Sequence, residues 1–145
     1  MKSNLFYSFL FLLFLSACGN NENDRSDSTT STESDVDAAR NFIRTALDGR
    51  YDKLDEMVVP DSANLALIEV AHMTYQSRMS PEDKRGYRES SINIHNVQTV
   101  NDSVTIVTYS NSYKKTQNEL KVLQRANTWL VDFKHSFPAD TTAAQ

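Results

Sequence analysis

One cysteine, three glycines, three prolines and one tryptophan are all that the 145 residues hold of these types. The lone cysteine, Cys18, excludes a disulfide within the chain. Such low glycine and proline counts exclude a collagen-like or loop-dominated scaffold, and no internal repeat is visible. Positive charge is not in excess. Fifteen Lys and Arg against 19 Asp and Glu leave a net charge of −4, so there is no basic footprint for nucleic acid. The three histidines, His72, His95 and His135, are far apart. With no His-x-x-x-His or Asp-x-Asp-x-Asp pattern, no glycine-rich phosphate loop and no serine nucleophile motif, neither a metal nor a cofactor is expected. One long apolar run exists, Leu5 to Leu15, broken only by Tyr7 and Ser8. A membrane-crossing helix needs about 20 apolar residues, and this run is too short.

What is present at that end is ordered like an export signal. Met1-Lys2 supplies a positive start, the apolar run follows, and Leu15-Ser16-Ala17-Cys18 closes it with small residues and the cysteine. This stretch resembles a bacterial lipoprotein signal with its lipobox. The resemblance implies cleavage between Ala17 and Cys18, a diacylglyceryl thioether on the Cys18 sulfur, and acylation (palmitate or a similar chain) of the new amino terminus. Two readings compete: an ordinary secretory signal followed by a coincidental cysteine, and a short anchor that stays attached. One acyl chain binds a bilayer only marginally, whereas the three implied here anchor firmly. The expected partner is therefore a lipid bilayer, reached through Cys18. Gly19, not an acid, follows the cysteine, which by resemblance to lipoprotein sorting favours the outer membrane of the cell envelope.

Residues 19 to 35 contain no apolar side chain and cannot form a core. The expected organisation is a signal peptide over 1–17, a lipidated disordered acidic tether over 18–34, a folded domain over 35–137 and a flexible tail over 138–145. Five acids (Glu22, Asp24, Asp27, Glu33, Asp35) stand against Arg25 in the tether region, while residues 36 to 145 hold 14 acids and 13 bases. The acidity thus sits beside the anchor, where it repels anionic lipid and extends the linker. A tether of this length reaches roughly 20–25 Å on average. About 110 residues remain, enough for one core without disulfides.

Within that domain the apolar period is helical first and two later. Ser34 or Asp35 caps a helix whose apolar face is Val36, Ala39, Phe42, Ile43, Ala46 and Leu47, ended by Gly49. A second, short helix is predicted from about Tyr51 to Val58, stopped by Pro60. Asp61 or Ser62 caps a third, running to about Met79, whose widely spread apolar residues predict the most buried helix. Ser80-Pro81-Glu82-Asp83 starts a short fourth. From Ser90 onward alternation predicts four antiparallel strands in a meander, with a bulge near Asn96 and turns at Asn101-Asp102 and Asn127-Thr128. The expected class is α+β, with N-terminal helices packed on one face of a four-stranded antiparallel sheet.

The order of these elements, with Leu47-Asp48-Gly49-Arg50-Tyr51 after the first helix and Trp129-Leu130-Val131-Asp132-Phe133 in the last strand, resembles small bacterial lipoproteins of the nuclear-transport-factor-2-like (cystatin-like) superfamily. The resemblance covers about residues 35 to 137 and rests on packing motifs. It implies a curved sheet forming a cone with a pocket at its open end. It transfers no catalytic residue, because no position matches a catalytic motif of that group.

Candidate pocket residues are His72 and Tyr75, three apart on one helix face, with Tyr109 and Trp129 on strands. The ordinary alternatives are a core tyrosine at 75, a partly exposed histidine at 72, and a solvated strand face carrying Asp132 and Lys134. Lys84-Arg85 with Arg88, and Lys114-Lys115, read as solvated surface. Asp-Ser and Asp-Thr pairs at 27, 61, 102 and 140 resemble a short O-glycosylation motif of exported bacterial proteins, but such pairs also cap helices and make turns. Three functions stay open: a non-catalytic envelope lipoprotein binding a small apolar ligand or an envelope protein, an isomerase- or dehydratase-like enzyme using acid–base residues in the pocket, and a module that forms a homodimer through its sheet.

Overall fold

The computed structural model of the chain describes residues 33–137. The predicted signal, the Ala17–Cys18 cleavage site, almost all of the tether and the 138–145 tail lie outside those residues. Within them, three α-helices precede a four-stranded antiparallel open sheet, so the domain is α+β.

Helix α1 (Asp35–Leu47) begins where Ser34 Oγ accepts the Asp37 N–H at 3.1 Å, and Asp35 and Asp37 sit in its first turn. Its inward face carries Ala39, Phe42, Ile43 and Leu47 into the core. The helix stops because Gly49 takes φ +76°, a left-handed conformation that costs other residues a Cβ clash. A second constraint acts at the same position: a side chain on Gly49 would collide with the Tyr75 ring and hydroxyl.

The segment predicted as a helix over 51–58 is a 3₁₀ helix, Tyr51–Glu56, after which the chain turns extended. Val59 N–H donates to the Val131 carbonyl, and Val131 N–H donates to the Met57 carbonyl, both at 2.8 Å. Val58 thereby bridges Val131 in parallel. This short segment covers the outer edge of the last strand, so its backbone groups are spent on the sheet and not on a helical turn.

Helix α2 (Ser62–Ser77) is capped by Asp61, whose carboxylate accepts the Asn64 N–H at 2.9 Å. It is not the most buried helix. Only Asn64 and Ile68 are buried, while Val70 and Met73 are 54% and 52% exposed and Leu65 is also exposed. The apolar residues run most of the way around α2, but the remainder of the domain touches one face only. Helix α3 (Pro81–Glu89) follows the predicted start, with Ser80 as cap, Pro81 in the first turn and Glu82 and Asp83 beside it. Arg44 of α1 reaches the end of α3, donating from Nη1 to the Ser90 carbonyl at 2.8 Å and from Nη2 to the Arg88 carbonyl at 3.1 Å. A guanidinium on those terminal carbonyls satisfies orphan acceptors and complements the helix dipole.

Strands β1 (Ile92–Asn101), β2 (Val104–Asn111), β3 (Asn118–Arg125) and β4 (Thr128–Asp132) pair in sequence order. The register breaks between Ile94 and Asn96, where the parity of Val97 predicts a bulge, and again between Thr99 and Asn101. The β3–β4 turn places Ala126 at φ +46° and Asn127 at φ +64°, the two positive angles that a two-residue hairpin loop demands. The inner face presents Val107, Leu120, Val122 and Val131 to α1. Thr105, also inward, donates to the Asp35 carboxylate at 2.6 Å and ties the start of α1 to β2. The opposite parity puts Val104, Ile106, Leu123 and Leu130 on the outer face, where cross-strand pairing brings Leu123 against both Val104 and Leu130.

Candidate functional site

Between the helices and the inner face of the sheet lies a cavity of about 360 Å³. Helix α1 gives it Phe42, Ile43, Ala46 and Leu47, and the 3₁₀ segment gives Tyr51 and Leu54. Helix α2 contributes Ala71 and Tyr75, and α3 contributes Tyr87. Tyr109, Asn111 and Asn118 reach it from β2 and β3, while Phe133, Ser136 and Phe137 border it after β4. The walls are thus aliphatic and aromatic, with a few hydroxyl and carboxamide groups. No Asp, Glu, His, Lys or Arg is among the lining residues.

Packing explains why tyrosines gather here. Tyr51 lies against Tyr75 with ring centroids 5.3 Å apart, and Tyr75 owes its position to the missing side chain at Gly49. Tyr87 meets Tyr113 edge-on at 5.3 Å, and Tyr113 in turn rests on Gly86, where a Cβ would stand 2.6 Å from the ring. Two of the chain's three glycines therefore make room for aromatic rings that border or support the cavity. Burial, then the neighbouring tyrosines, raises the Tyr51 phenol to about 12. Burial also raises Tyr109. Both remain neutral hydrogen-bond donors across the physiological range.

Asn111 is 7% exposed. Its Oδ1 accepts the N–H groups of Tyr113 at 3.1 Å and Lys114 at 2.9 Å, which turns the chain out of β2. Two backbone donors fix that atom as the oxygen. The remaining Nδ2 donates to no group of the described residues. Because no fully buried side-chain polar atom there lacks a partner, this nitrogen is open to solvent, and the space Asn111 borders is the cavity.

The four candidate pocket residues divide. Tyr75 and Tyr109 line the cavity; His72 and Trp129 do not. His72 stacks on the Tyr51 ring at 5.5 Å and its Nε2 lies 2.6 Å from the Gln76 carboxamide, on the solvent side of α2. Trp129 packs against the core beside Gln124, on the inner face of the sheet. Asp132 corrects the reading of a solvated strand face. It is 7% exposed and accepts from Asn64 Nδ2 at 3.3 Å, with Lys134 Nζ 3.2 Å and Lys121 Nζ 3.6 Å away. Asn64, itself fully buried, also donates to the Val59 carbonyl and accepts the Lys134 N–H at 2.9 Å. The start of α2 covers this strand end, which alternation along one strand cannot reveal. Neither Asn111 nor Asn118 stood out as a site residue in the sequence, because an Asn at a strand end reads as a turn signal.

A second, more polar hollow of about 440 Å³ shares Asn118 and Ser136 with the cavity. It is bordered by Glu119 and His135, whose Oε2 and Nε2 are 3.9 Å apart. Among the described residues no cluster of His, Cys, Asp and Glu is arranged to hold a metal ion, and no helix is long and apolar enough to cross a membrane. No protein-family model, curated protein or solved structure matches this chain.

Proposed function

We propose that this protein is a lipid-anchored lipoprotein of the cell envelope, tethered through Cys18, whose domain belongs with the nuclear-transport-factor-2-like, cone-shaped folds and holds a small apolar ligand. The observation that carries the ligand reading is the cavity: its walls are apolar and aromatic, its polar groups are neutral, and it is large enough to accept a small molecule. The same lining weighs against the isomerase or dehydratase reading, because its only titratable groups are phenols, two of which (Tyr51 and Tyr109) burial holds neutral, and no carboxylate or imidazole borders the cavity to take a proton. The lipobox order around Leu15-Ser16-Ala17-Cys18 supports the anchor.

Growth with radioactive palmitate, followed by native mass spectrometry of the extracted chain, tests both halves. The wild type is expected to carry label and a small non-covalent adduct. Cys18→Ser is expected to lose the label and leave the membrane fraction. An unlabelled wild type overturns the anchor; an extracted chain without any adduct overturns the ligand reading. A second reading, pairing of two copies, is favoured by the aliphatic group Val104, Ile106, Leu123 and Leu130 on the outer sheet face.

A further inference from the structure

The cavity presents neutral donors to its occupant. Tyr109 and Asn111 are two apart on β2, so both side chains stand on the inner face. Asn111 keeps its oxygen on the backbone of the following turn, which leaves its Nδ2 donors without a partner among the described residues in a residue that lines the cavity. The Tyr109 hydroxyl makes no hydrogen bond to any group of the described residues, and burial keeps its proton in place. No cationic side chain lies in the lining to balance a carboxylate, and no anionic one to balance an amine. A charged ligand would give up part of its hydration with no opposite charge in the lining to offset it, whereas a neutral oxygen would gain partners.

Resting on the reading of the cavity as a ligand site, we propose that its ligand class is an uncharged apolar molecule bearing a ketone, ester or similar acceptor oxygen, taken between Asn111 Nδ2 and the Tyr109 hydroxyl. The cavity volume corresponds to about a dozen water-sized groups. That fits one or two small rings or a medium-length chain.

Benzophenone is a suitable probe, being an uncharged diaryl ketone that labels neighbouring C–H bonds on illumination. The full chain, in lipid nanodiscs, is photolabelled with benzophenone or with the anionic 4-benzoylbenzoate, and labelled peptides are mapped by mass spectrometry. Diphenylmethane, which has the same rings and no oxygen, serves as the competitor. Saturable benzophenone labelling of peptides from α1 and β2 is expected, at least about tenfold more efficient than labelling by 4-benzoylbenzoate. Asn111→Asp preserves the oxygen that holds the turn and removes the donor; Tyr109→Phe removes the hydroxyl. Each is expected to weaken benzophenone by about three- to tenfold, the share of one hydrogen bond. Neither is expected to change inhibition by diphenylmethane, which also reports that the cavity has stayed folded. Equal labelling by both probes, or ketone affinity unmoved in both variants, overturns the acceptor-oxygen assignment alone. Absence of any saturable labelling at α1 and β2 overturns the ligand reading beneath it.

Discussion

Asn64 does more for this domain than its side chain's size suggests. Fully buried at the start of α2, it donates to the Val59 carbonyl and to Asp132, and it accepts the backbone N–H of Lys134. Lys134 Nζ meanwhile donates to Asp61 at 2.5 Å, and that contact, with the Asn64 N–H, lowers the Asp61 carboxyl below its ordinary range. The α2 cap and the end of β4 are therefore one hydrogen-bonded unit. Replacing Asn64 with alanine strands the Lys134 N–H and takes one donor from the buried Asp132 carboxylate, which keeps Lys134 and Lys121. Asn64→Ala is expected to cost about 2–4 kcal/mol in urea unfolding at neutral pH, with the slope unchanged. A loss below about 1 kcal/mol would show that water replaces the amide at no penalty.

At the scale of elements, α3 is held from both ends by charge. Arg44 binds the carbonyls at its C-terminus, while Asp83 in its first turn accepts from Ser80, Lys114 and the Tyr113 hydroxyl. Those three bonds, Ser80 first, lower Asp83 to about 2 from an ordinary 3.8. A carboxyl depressed on folding contributes stability above its unfolded pKa and loses it as the pH falls through the folded value. The Asp83 contribution is therefore complete above pH 4 and disappears between about pH 4 and pH 2. The group faces solvent, so the effect is screened by salt. Melting temperatures of the wild type and Asp83→Asn are expected to differ at pH 6 and to converge toward pH 2; a gap of constant size across that range would refute the assignment. Helix α2 shows the other side of element-level reasoning. Its capping residue and length were legible, but a helix apolar nearly all round does not announce which stripe will be covered.

Among the described residues, the inner face of the sheet packs on α1, and the outer face meets α2 at the Asp132 end of β4. One sheet edge is covered, because Met57–Val59 runs along β4; β1 lies at the opposite end of the strand order. The outer face joins Val104, Ile106, Leu123 and Leu130 through the pairings of β2 with β3 and of β3 with β4. Under the pairing reading this face is the contact between two copies. Leu123→Lys is then expected to abolish a concentration-dependent dimer in analytical ultracentrifugation while costing the monomer about 1–2 kcal/mol, the share of its two cross-strand contacts. A wild type that stays monomeric at high concentration would remove that reading.

How far the residues alone carry can be judged position by position. Ser34, Asp61 and Ser80 each head a helix because capping is local: an oxygen three residues upstream meets its amide whatever lies elsewhere. Gly49 and the off-parity Val97 were legible for the same reason, since each states a constraint among near neighbours, while the two hairpin turns were found to within one residue, at Asp102-Ser103 and Ala126-Asn127. The sequence by itself therefore determined the order of the three α-helices and the four strands, but not that the chain takes 3₁₀ turns over Tyr51–Glu56 and, where the last strand was expected to continue, over Phe133–Ser136. Only the tertiary structure decided that Val58 leaves a helix to bridge β4, that Asp132 is covered by α2, that Tyr75 and Tyr109 share a cavity while His72 and Trp129 lie outside it, and that Asn111 borders that space. Those outcomes depend on segments tens of residues apart competing for the same surface, and periodicity along one element carries no information about what will be brought against it.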